Sequence, residues 1–430
     1  MDIKSYYDPS LSELDKIVSR KLQDDSSIKD SVVEILNKVK EEGDDALYYY
    51  SEKFDSVKLD SLIVSEREFE EAEGLVSDDM KKSLEIASKN IRAFHEAQLP
   101  EGECVEVMDG IKLERKIVPI TTVGLYVPGG TAPLFSTVLM LSIPAKVAGC
   151  KNIVLSTPPM KNGKVNPIVL YVAKLSGVSD VYKIGGAGAI AAMAYGTDSV
   201  SKVDKIFGPG NRYVSTAKMM VSSFVSIDML AGPSEVMVVA NSKSNPNFVA
   251  SDFLSQAEHG KDSQSVLTII ADEEEGELYK EKFLEALDSQ LKILPRHEYL
   301  LPSLKNSKII IEPTVEKAQI AVNIYAPEHL VVNIDDARSF IDGISNAGSI
   351  FLGPYACESA GDYASGTNHT LPTSGWAVSQ SGVSTDSFIK KITVQTISKA
   401  GLTELGKTII TMAEGEGLQA HANAVKVRMK

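Results

Sequence analysis

Six histidines occur in the chain, and four of them, His259, His329, His369 and His421, stand among carboxylates, amides and glycines. Pro327-Glu328-His329 joins a helical stretch, 315–325, to a strand-like run at 330–334, so a carboxylate and an imidazole share the end of an element. An imidazole titrates near neutrality, and a neighbouring carboxylate can activate water or steady the imidazolium, which is general acid-base chemistry. A surface Glu-His pair at a turn would look the same, so the pair needs company. Asn245-Pro246 is a good helix start and Gly260 a good stop, which puts Gln256 and His259 on one face of the last turn. An amide oxygen and an imidazole nitrogen there form half of a metal site, although a lone histidine at a helix end more often serves the terminal carbonyls.

The run Gly361-Asp362-Tyr363-Ala364-Ser365-Gly366-Thr367-Asn368-His369 has little helix or strand character. Its glycines let backbone approach a ligand, while Asp362 and His369 offer ligating or hydrogen-bonding atoms. Glu414-Gly415-Glu416-Gly417-Leu418-Gln419-Ala420-His421 adds two carboxylates and an imidazole that alone would read as a solvated helix end. The convergence of four histidines on such clusters favours a metal-dependent site. His95, on an amphipathic helix, and His297, beside Arg296 and Glu298, read as surface residues. Cys104, Cys150 and Cys357 are far apart and lack a C-x-x-C pair, which fits reduced, buried thiols. Cys357 beside Glu358 is a weaker candidate nucleophile.

These clusters have to be positioned by a larger frame. The first hundred residues carry helical spacing, at Val32, Val33, Ile35, Leu36 and Val39 and again at Leu84, Ile86, Ile91 and Phe94, and Ser65 with Glu68 forms a capping box. From about Thr121 short Val/Ile-rich runs at 123–127, 153–156, 181–184, 205–207 and 235–240 alternate with helical stretches. A second series follows at 266–271, 308–312, 330–334 and 349–352. This alternation predicts an α/β fold of two tandem Rossmann-like parallel-sheet units, with a helical N-terminal segment and a small, mainly helical C-terminal tail. One boundary between the units is expected near Ala231-Gly232-Pro233.

Gly185-Gly186-Ala187-Gly188-Ala189-Ile190-Ala191 follows a strand and opens a helix, matching G-x-G-x-x-A. The acidic residue expected about twenty positions on is not clearly placed, since Asp204 begins a strand. Two further turns, Pro128-Gly129-Gly130 and Gly208-Pro209-Gly210-Asn211, favour a dinucleotide cleft over glycines kept for packing alone. Taken together, the clusters predict a metal site beside a dinucleotide cleft.

Composition narrows the partners. With 430 residues, 43% hydrophobic and 24% charged, the chain is too long for one simple core. A formal charge of -14 gives nucleic acid and anionic membranes nothing to hold, and no basic block occurs. Residues 1–23 lack the apolar core of a signal peptide, so a cytoplasmic protein is expected. The uncharged stretch 117–145 contains Pro119, Gly124, Pro128, Gly129, Gly130, Pro133 and Pro144, and reads as strand, loop and buried helix instead of a membrane span.

The segments Val123-Gly124-Leu125-Tyr126-Val127-Pro128-Gly129-Gly130, Gly208-Pro209-Gly210-Asn211, Ala231-Gly232-Pro233-Ser234-Glu235, Gln256-Ala257-Glu258-His259, Pro327-Glu328-His329 and 361–369 together resemble the histidinol dehydrogenase family, in order and spacing, across nearly the whole chain. The resemblance implies oxidation of L-histidinol through L-histidinaldehyde to L-histidine, the last steps of histidine biosynthesis, with two NAD reduced in succession. It implies one Zn2+ per subunit, held by Gln256, His259, Asp362 and His421, in a homodimer where His421 reaches the partner subunit's site. Nitrogen and oxygen ligands suit zinc, although manganese or cobalt remain open. It further implies His329 as general base, Glu328 as the activator of water, and a substrate shell of Ser234, Gln256, His259, His329, Asp362, His369, Glu416 and His421. NAD contacts fall on Tyr126, Gly188 and Asn211. Here the chain departs from the family, which commonly has Gln at the position of Gly188, so one polar contact is missing; Leu230, where Pro is frequent, is a milder change.

The same resemblance divides the chain into an N-terminal segment, 1–24, a larger α/β domain, 25–125 plus 235–383, a Rossmann-like NAD-binding domain, 126–234, and a tail, 384–430, that contributes to the partner's site. Two other readings compete. A relative on this scaffold could oxidise another amino alcohol or a sulfonated diol, against which Glu416 argues, because a carboxylate repels a sulfonate. A silent zinc-binding dimer would not need both Glu328 and His329.

Overall fold

The computed structural model describes residues 3–20, 26–129, 133–229 and 232–430; Gly130, Leu230 and Ala231 lie outside the described residues. Strand β1 (Lys4–Tyr7) is followed by helices and then by the hairpin β2 (Cys104–Met108) and β3 (Ile111–Pro119). Strands β4 (Thr122–Tyr126), β5 (Asn152–Ser156), β6 (Asp180–Tyr182), β7 (Lys205–Phe207) and β8 (Ser226–Ile227) alternate with helices Phe135–Ala148, Pro167–Ser176, Gly186–Tyr195 and Arg212–Val221. They form one parallel sheet in the order β6-β5-β4-β7-β8. A second parallel sheet follows from β9 (Glu235–Asn241), β10 (Gln264–Ile270), β11 (Lys308–Glu312), β12 (His329–Asn333) and β13 (Ser349–Leu352), ordered β1-β11-β10-β9-β12-β13. Strand β14 (Ile389–Ile397) runs antiparallel to β3 in a small third sheet.

The two parallel sheets were legible because a strand covered on both faces is a continuous apolar run. Val236 to Ala240 and Leu267 are completely buried, and so are Ile309 to Ile311. The uncharged stretch 117–145 resolves, within its described part, into strand, loop and the buried helix Phe135–Ala148. No helix among the described residues is long and apolar enough to cross a membrane.

Helix Ser26–Glu42 packs on Gly186–Tyr195 and Arg212–Val221, sharing a core of Val32, Leu36, Ile190 and Val214. Helices Glu66–Leu75 and Asp78–Glu96 pack on Pro167–Ser176 and Phe135–Ala148. Ser65 and Glu68 make the expected capping box, with the Ser65 N–H donating to Glu68 Oε2 at 2.8 Å.

Three local expectations are corrected. The N-terminal stretch is not helical throughout, since β1 forms an edge of the second sheet, with Tyr6 opposite Ile310. The tail opens with a long strand, β14, whose solvent-facing Lys390 and Lys391 hide any apolar alternation. His95 is buried, not a surface residue: its Nδ1 stands 2.8 Å from the Ile91 carbonyl, and its ring faces Asn368.

The turn Gly208-Pro209-Gly210-Asn211 is locked from beneath. Gly208 has φ +123°, and a Cβ there would fall 2.0 Å from the Tyr126 carbonyl oxygen, so only glycine fits. Asp228 Oδ2 accepts from the Gly208 N–H at 2.8 Å, Lys218 Nζ donates to the Gly208 carbonyl at 2.9 Å, and the two side chains pair with each other, buried. Removing one member strands a buried charge, which costs far more than the pair itself contributes. Lys218→Met is therefore expected to lose about 3–5 kcal/mol of stability in denaturant unfolding, whereas the paired change Lys218→Met with Asp228→Leu recovers most of the loss.

Candidate active site

The cofactor-type turns follow the carboxyl ends of β4, β6 and β7, the edge at which open parallel sheets bind ligands. The acid-base residues lie at the opposite kind of edge, because Glu235 and His329 are the first residues of β9 and β12. One cavity of about 850 Å3 runs from the cofactor-type turns to His259, within the usual size of small-molecule sites. Tyr126, Gly188 and Asn211 line it, and so do Glu258 and His259.

His329 is the centre of the polar cluster. Its register, opposite Val236 on one side and Ser349 on the other, buries the ring between two neighbouring strands. Nδ1 lies 3.2 Å from Gln256 Nε2, 3.8 Å from Glu328 Oε2 and 3.9 Å from Glu358 Oε1. Nε2 lies 3.3 Å from Asp362 Oδ1. Helix Pro246–Ala257, capped by Asn245 as expected, delivers Gln256 in its last turn, and His259 follows just beyond its end. Helix Glu358–Tyr363 delivers Glu358 and Asp362 from one face, four residues apart.

Glu328 is held by the Glu235 N–H, 2.8 Å from Oε2, and by Gln256 Nε2 at 3.3 Å. Glu235 is itself clamped by Arg20, whose Nε and Nη2 donate at 2.6 and 2.7 Å while Nη2 also reaches the Tyr325 carbonyl. His369 has both ring nitrogens engaged, Nδ1 3.0 Å from the Asp362 carbonyl and Nε2 2.9 Å from Thr137 Oγ1. It fastens the helix of Asp362 to helix Phe135–Ala148.

Burial pushes Glu328 up to about 8. Burial alone would lower His329, but the carboxylates of Glu358, Glu328 and Asp362 outweigh it and raise the imidazole to about 10. Burial drives Glu358 well above the carboxylate range, whereas for Asp362 the His329 imidazole overcomes burial and holds it low.

Buried polar atoms almost always have partners. Gln256 Oε1, Glu358 Oε1 and Asp362 Oδ1 are buried with no hydrogen-bond partner. His259, Glu358 and Asp362 also present ligand atoms within 4.8 Å of one another. Such orphaned oxygens beside an imidazole fit a divalent cation, and the nitrogen-oxygen donor set suits zinc.

Comparison with known proteins bears on which enzyme builds such a cluster. The family model described as histidinol dehydrogenase matches residues 18–429. The chain belongs to the histidinol dehydrogenase family. It is 51% identical over 422 residues to the histidinol dehydrogenase of Bacteroides thetaiotaomicron, covering 98% of this chain and 97% of the relative. The chloroplastic histidinol dehydrogenase of Arabidopsis thaliana is 48% identical, with 98% and 90% covered. The crystal structure of histidinol dehydrogenase from Elizabethkingia anophelis superposes with a TM-score of 0.96 at 47% identity, covering 99% of this chain and 98% of that one. This histidinol dehydrogenase family member is thus an oxidoreductase.

The fold brings Gln256, His259, Glu328, His329, Asp362 and His369 together. Ser234 lies half-buried just before β9, its carbonyl accepting from the Gln264 N–H at 3.2 Å. Glu416 and His421 are exposed on the C-terminal helices and do not line the cavity. Cys357 is exposed at the start of its helix, and Cys104 is also exposed, so only Cys150 is the buried thiol expected. The sequence reading missed Glu358 and Glu235. The spacing Glu358 to Asp362 on one helical face was a usable signal for the first.

The raised groups fix a pH dependence for the metal-stripped protein. Glu328 ionises near its ordinary value when unfolded but near 8 when folded, so stability falls as pH rises between those values. His329 contributes stability that is fully present below its ordinary value and is lost toward 10. In chelator-treated protein, thermal unfolding at pH 6 is expected to occur at a higher temperature than at pH 9. Glu328→Gln should gain on the wild type steadily from pH 5 to 8, and parallel melting curves would contradict this assignment.

Proposed function

We propose that the chain oxidises L-histidinol through L-histidinaldehyde to L-histidine, reducing two NAD in turn, with zinc as its metal, in the cytoplasm. The observation that carries this reading is the buried Glu328-His329 pair set against the orphaned oxygens of Gln256, Glu358 and Asp362, beside His259, which lines a cavity whose walls also carry Tyr126, Gly188 and Asn211.

Gln256, His259 and Asp362 would hold the metal, together with His421 of the partner subunit; exposure of His421 on the tail suits a residue that serves a second copy. These residues would place a zinc ion where it would orient the substrate's amine and imidazole and offset the carboxylate charge around His329. His329 then takes the alcohol proton at Nε2 or Nδ1 as NAD accepts the hydride, giving aldehyde, NADH and a proton. In the second oxidation Glu328, poised near neutrality by burial, removes a proton from water as it adds to the aldehyde carbon. Loss of a second hydride to a fresh NAD leaves the carboxylic acid, whose proton passes to His329 to give the carboxylate. Retaining the aldehyde in one buried site protects a reactive carbonyl between steps. Glu416 of the tail would face the cationic substrate from the same partner as His421, with Ser234 and His369 completing the shell.

Gly188 is not demanded by space, since a Cβ there would meet Leu47 Cδ2 at 3.7 Å and Ile184 Cγ2 at 4.0 Å, ordinary contacts. A glycine there leaves Tyr126 and Asn211 as the two of these three positions with polar side chains to offer NAD.

Limiting L-histidinol with excess NAD should give two NADH per substrate, lost after chelation and restored by zinc. Glu328→Gln is expected to slow the aldehyde step at least tenfold more than the alcohol step, seen as a stoichiometry falling toward one NADH in a single turnover. Mixing Glu328→Gln and His421→Asn subunits, each unable to complete the oxidation to histidine, should restore about a quarter of wild-type histidine formation, because half the dimers are mixed and each has one intact site. No NADH, or no rescue, would sink the reaction or the shared site respectively.

A further inference from the structure

A dinucleotide fold normally supplies a carboxylate for the ribose hydroxyls near its glycine turn. Here the residue in the sequence position nearest that role, Asp204, is spent elsewhere, its Oδ2 accepting from the Thr122 N–H at 2.9 Å. A neighbouring wall of the cavity offers a substitute. Helix Ser26–Glu42 and helix Asp44–Tyr50 pack against helix Gly186–Tyr195, and the single π-helical turn Ser51–Asp55 that follows them places Asp55 in the lining of the same cavity as Gly185 and Gly186.

Asp55 is half-buried, and among the described residues no hydrogen bond or ion pair engages its carboxylate. Burial alone pushes it up to about 6. A half-buried carboxylate without a partner is costly and calls for an occupant. Its neighbourhood says which kind. The Tyr126 hydroxyl accepts from the Gly186 N–H at 3.1 Å at the start of helix Gly186–Tyr195 and also feels the charge of Asp55. A pyrophosphate at that helix start would therefore place a ribose beside Asp55. Glu34 and Glu258 line the same cavity, but Glu34 is exposed and Glu258 adjoins His259 at the reacting end. Because the nicotinamide must reach the His259 end, the ribose at the N-terminal wall is that of adenosine.

We propose that Asp55 is the ribose-recognising carboxylate of this site, accepting from the 2′- and 3′-hydroxyls of adenosine and repelling a 2′-phosphate, so that it selects NAD over NADP. The assignment rests on the NAD-linked reading above, and it moves the selecting acid from the strand after the glycine turn to a helical N-terminal wall.

The test is calorimetric binding of NAD, NADP, ADP and 2′,5′-ADP to the zinc-loaded protein and to its Asp55→Asn and Asp55→Ala variants. The wild type should bind NAD and ADP at least tenfold more tightly than the 2′-phosphorylated forms. Both variants should lose about tenfold in NAD and ADP affinity and narrow that preference, with unchanged zinc content and an unfolding temperature no lower than the wild type's. Unchanged ADP affinity with reduced NAD affinity would place Asp55 on the nicotinamide ribose and overturn the proposal. So would unchanged binding of all four ligands. Failure of the wild type to bind NAD or ADP at all would instead remove the NAD-linked reading itself, and the proposal with it.

Discussion

One imidazole, His329, is buried among the carboxylates of Glu328, Glu358 and Asp362, and much of the structure around it answers the cost of that arrangement. Removing a charge from water costs several kcal/mol even after relaxation, so a buried cluster of acids persists only with protons, cations or donors to meet it. The Glu235 N–H and Gln256 meet Glu328, and Arg20 meets Glu235. Asp362 is left with an open oxygen beside Gln256 and Glu358. The second sheet is the platform that makes this possible, because β9 and β12 are neighbours and bring Glu235 and His329 into register.

The two sheets contribute unlike edges to the candidate site. The first presents the ends where its strands finish, at Tyr126 and after Phe207, and the second presents the ends where its strands begin, at Glu235 and His329. His369 ties these halves together, since its two nitrogens touch the Thr137 hydroxyl of one unit and the Asp362 carbonyl of the other. A shift between the units would thus be felt directly by a residue proposed to hold the metal.

Rigidity is unevenly distributed in a way that suits a redox site. The turn after β7 is pinned by the Lys218-Asp228 pair and by a glycine that no other residue could replace without striking Tyr126. Gly188, by contrast, has ordinary room around it. The first position is set by the backbone's own close approach; the second is a choice of side chain.

Much of this protein was determined locally and was therefore readable along the chain. The order of strands and helices, the Ser65-Glu68 capping box, the start of helix Pro246–Ala257 and the pairing of Gln256 with His259 depend on residues within one or two turns of each other. The family resemblance likewise rested on contiguous motifs. Strands β1 and β14 escaped because edge strands that face solvent carry no clean apolar alternation, and their partners lie hundreds of residues away. His95 escaped for a related reason: its burial is decided by Asn368 and the helix that covers it, not by its own amphipathic stretch. Only the tertiary structure decided that Glu235 and Glu358 join the site, that Asp204 is spent on a strand end, and that Asp55 lines the same cavity as the glycine turn. Strand order and burial set which distant acids share a space, and they set the charge each one carries there.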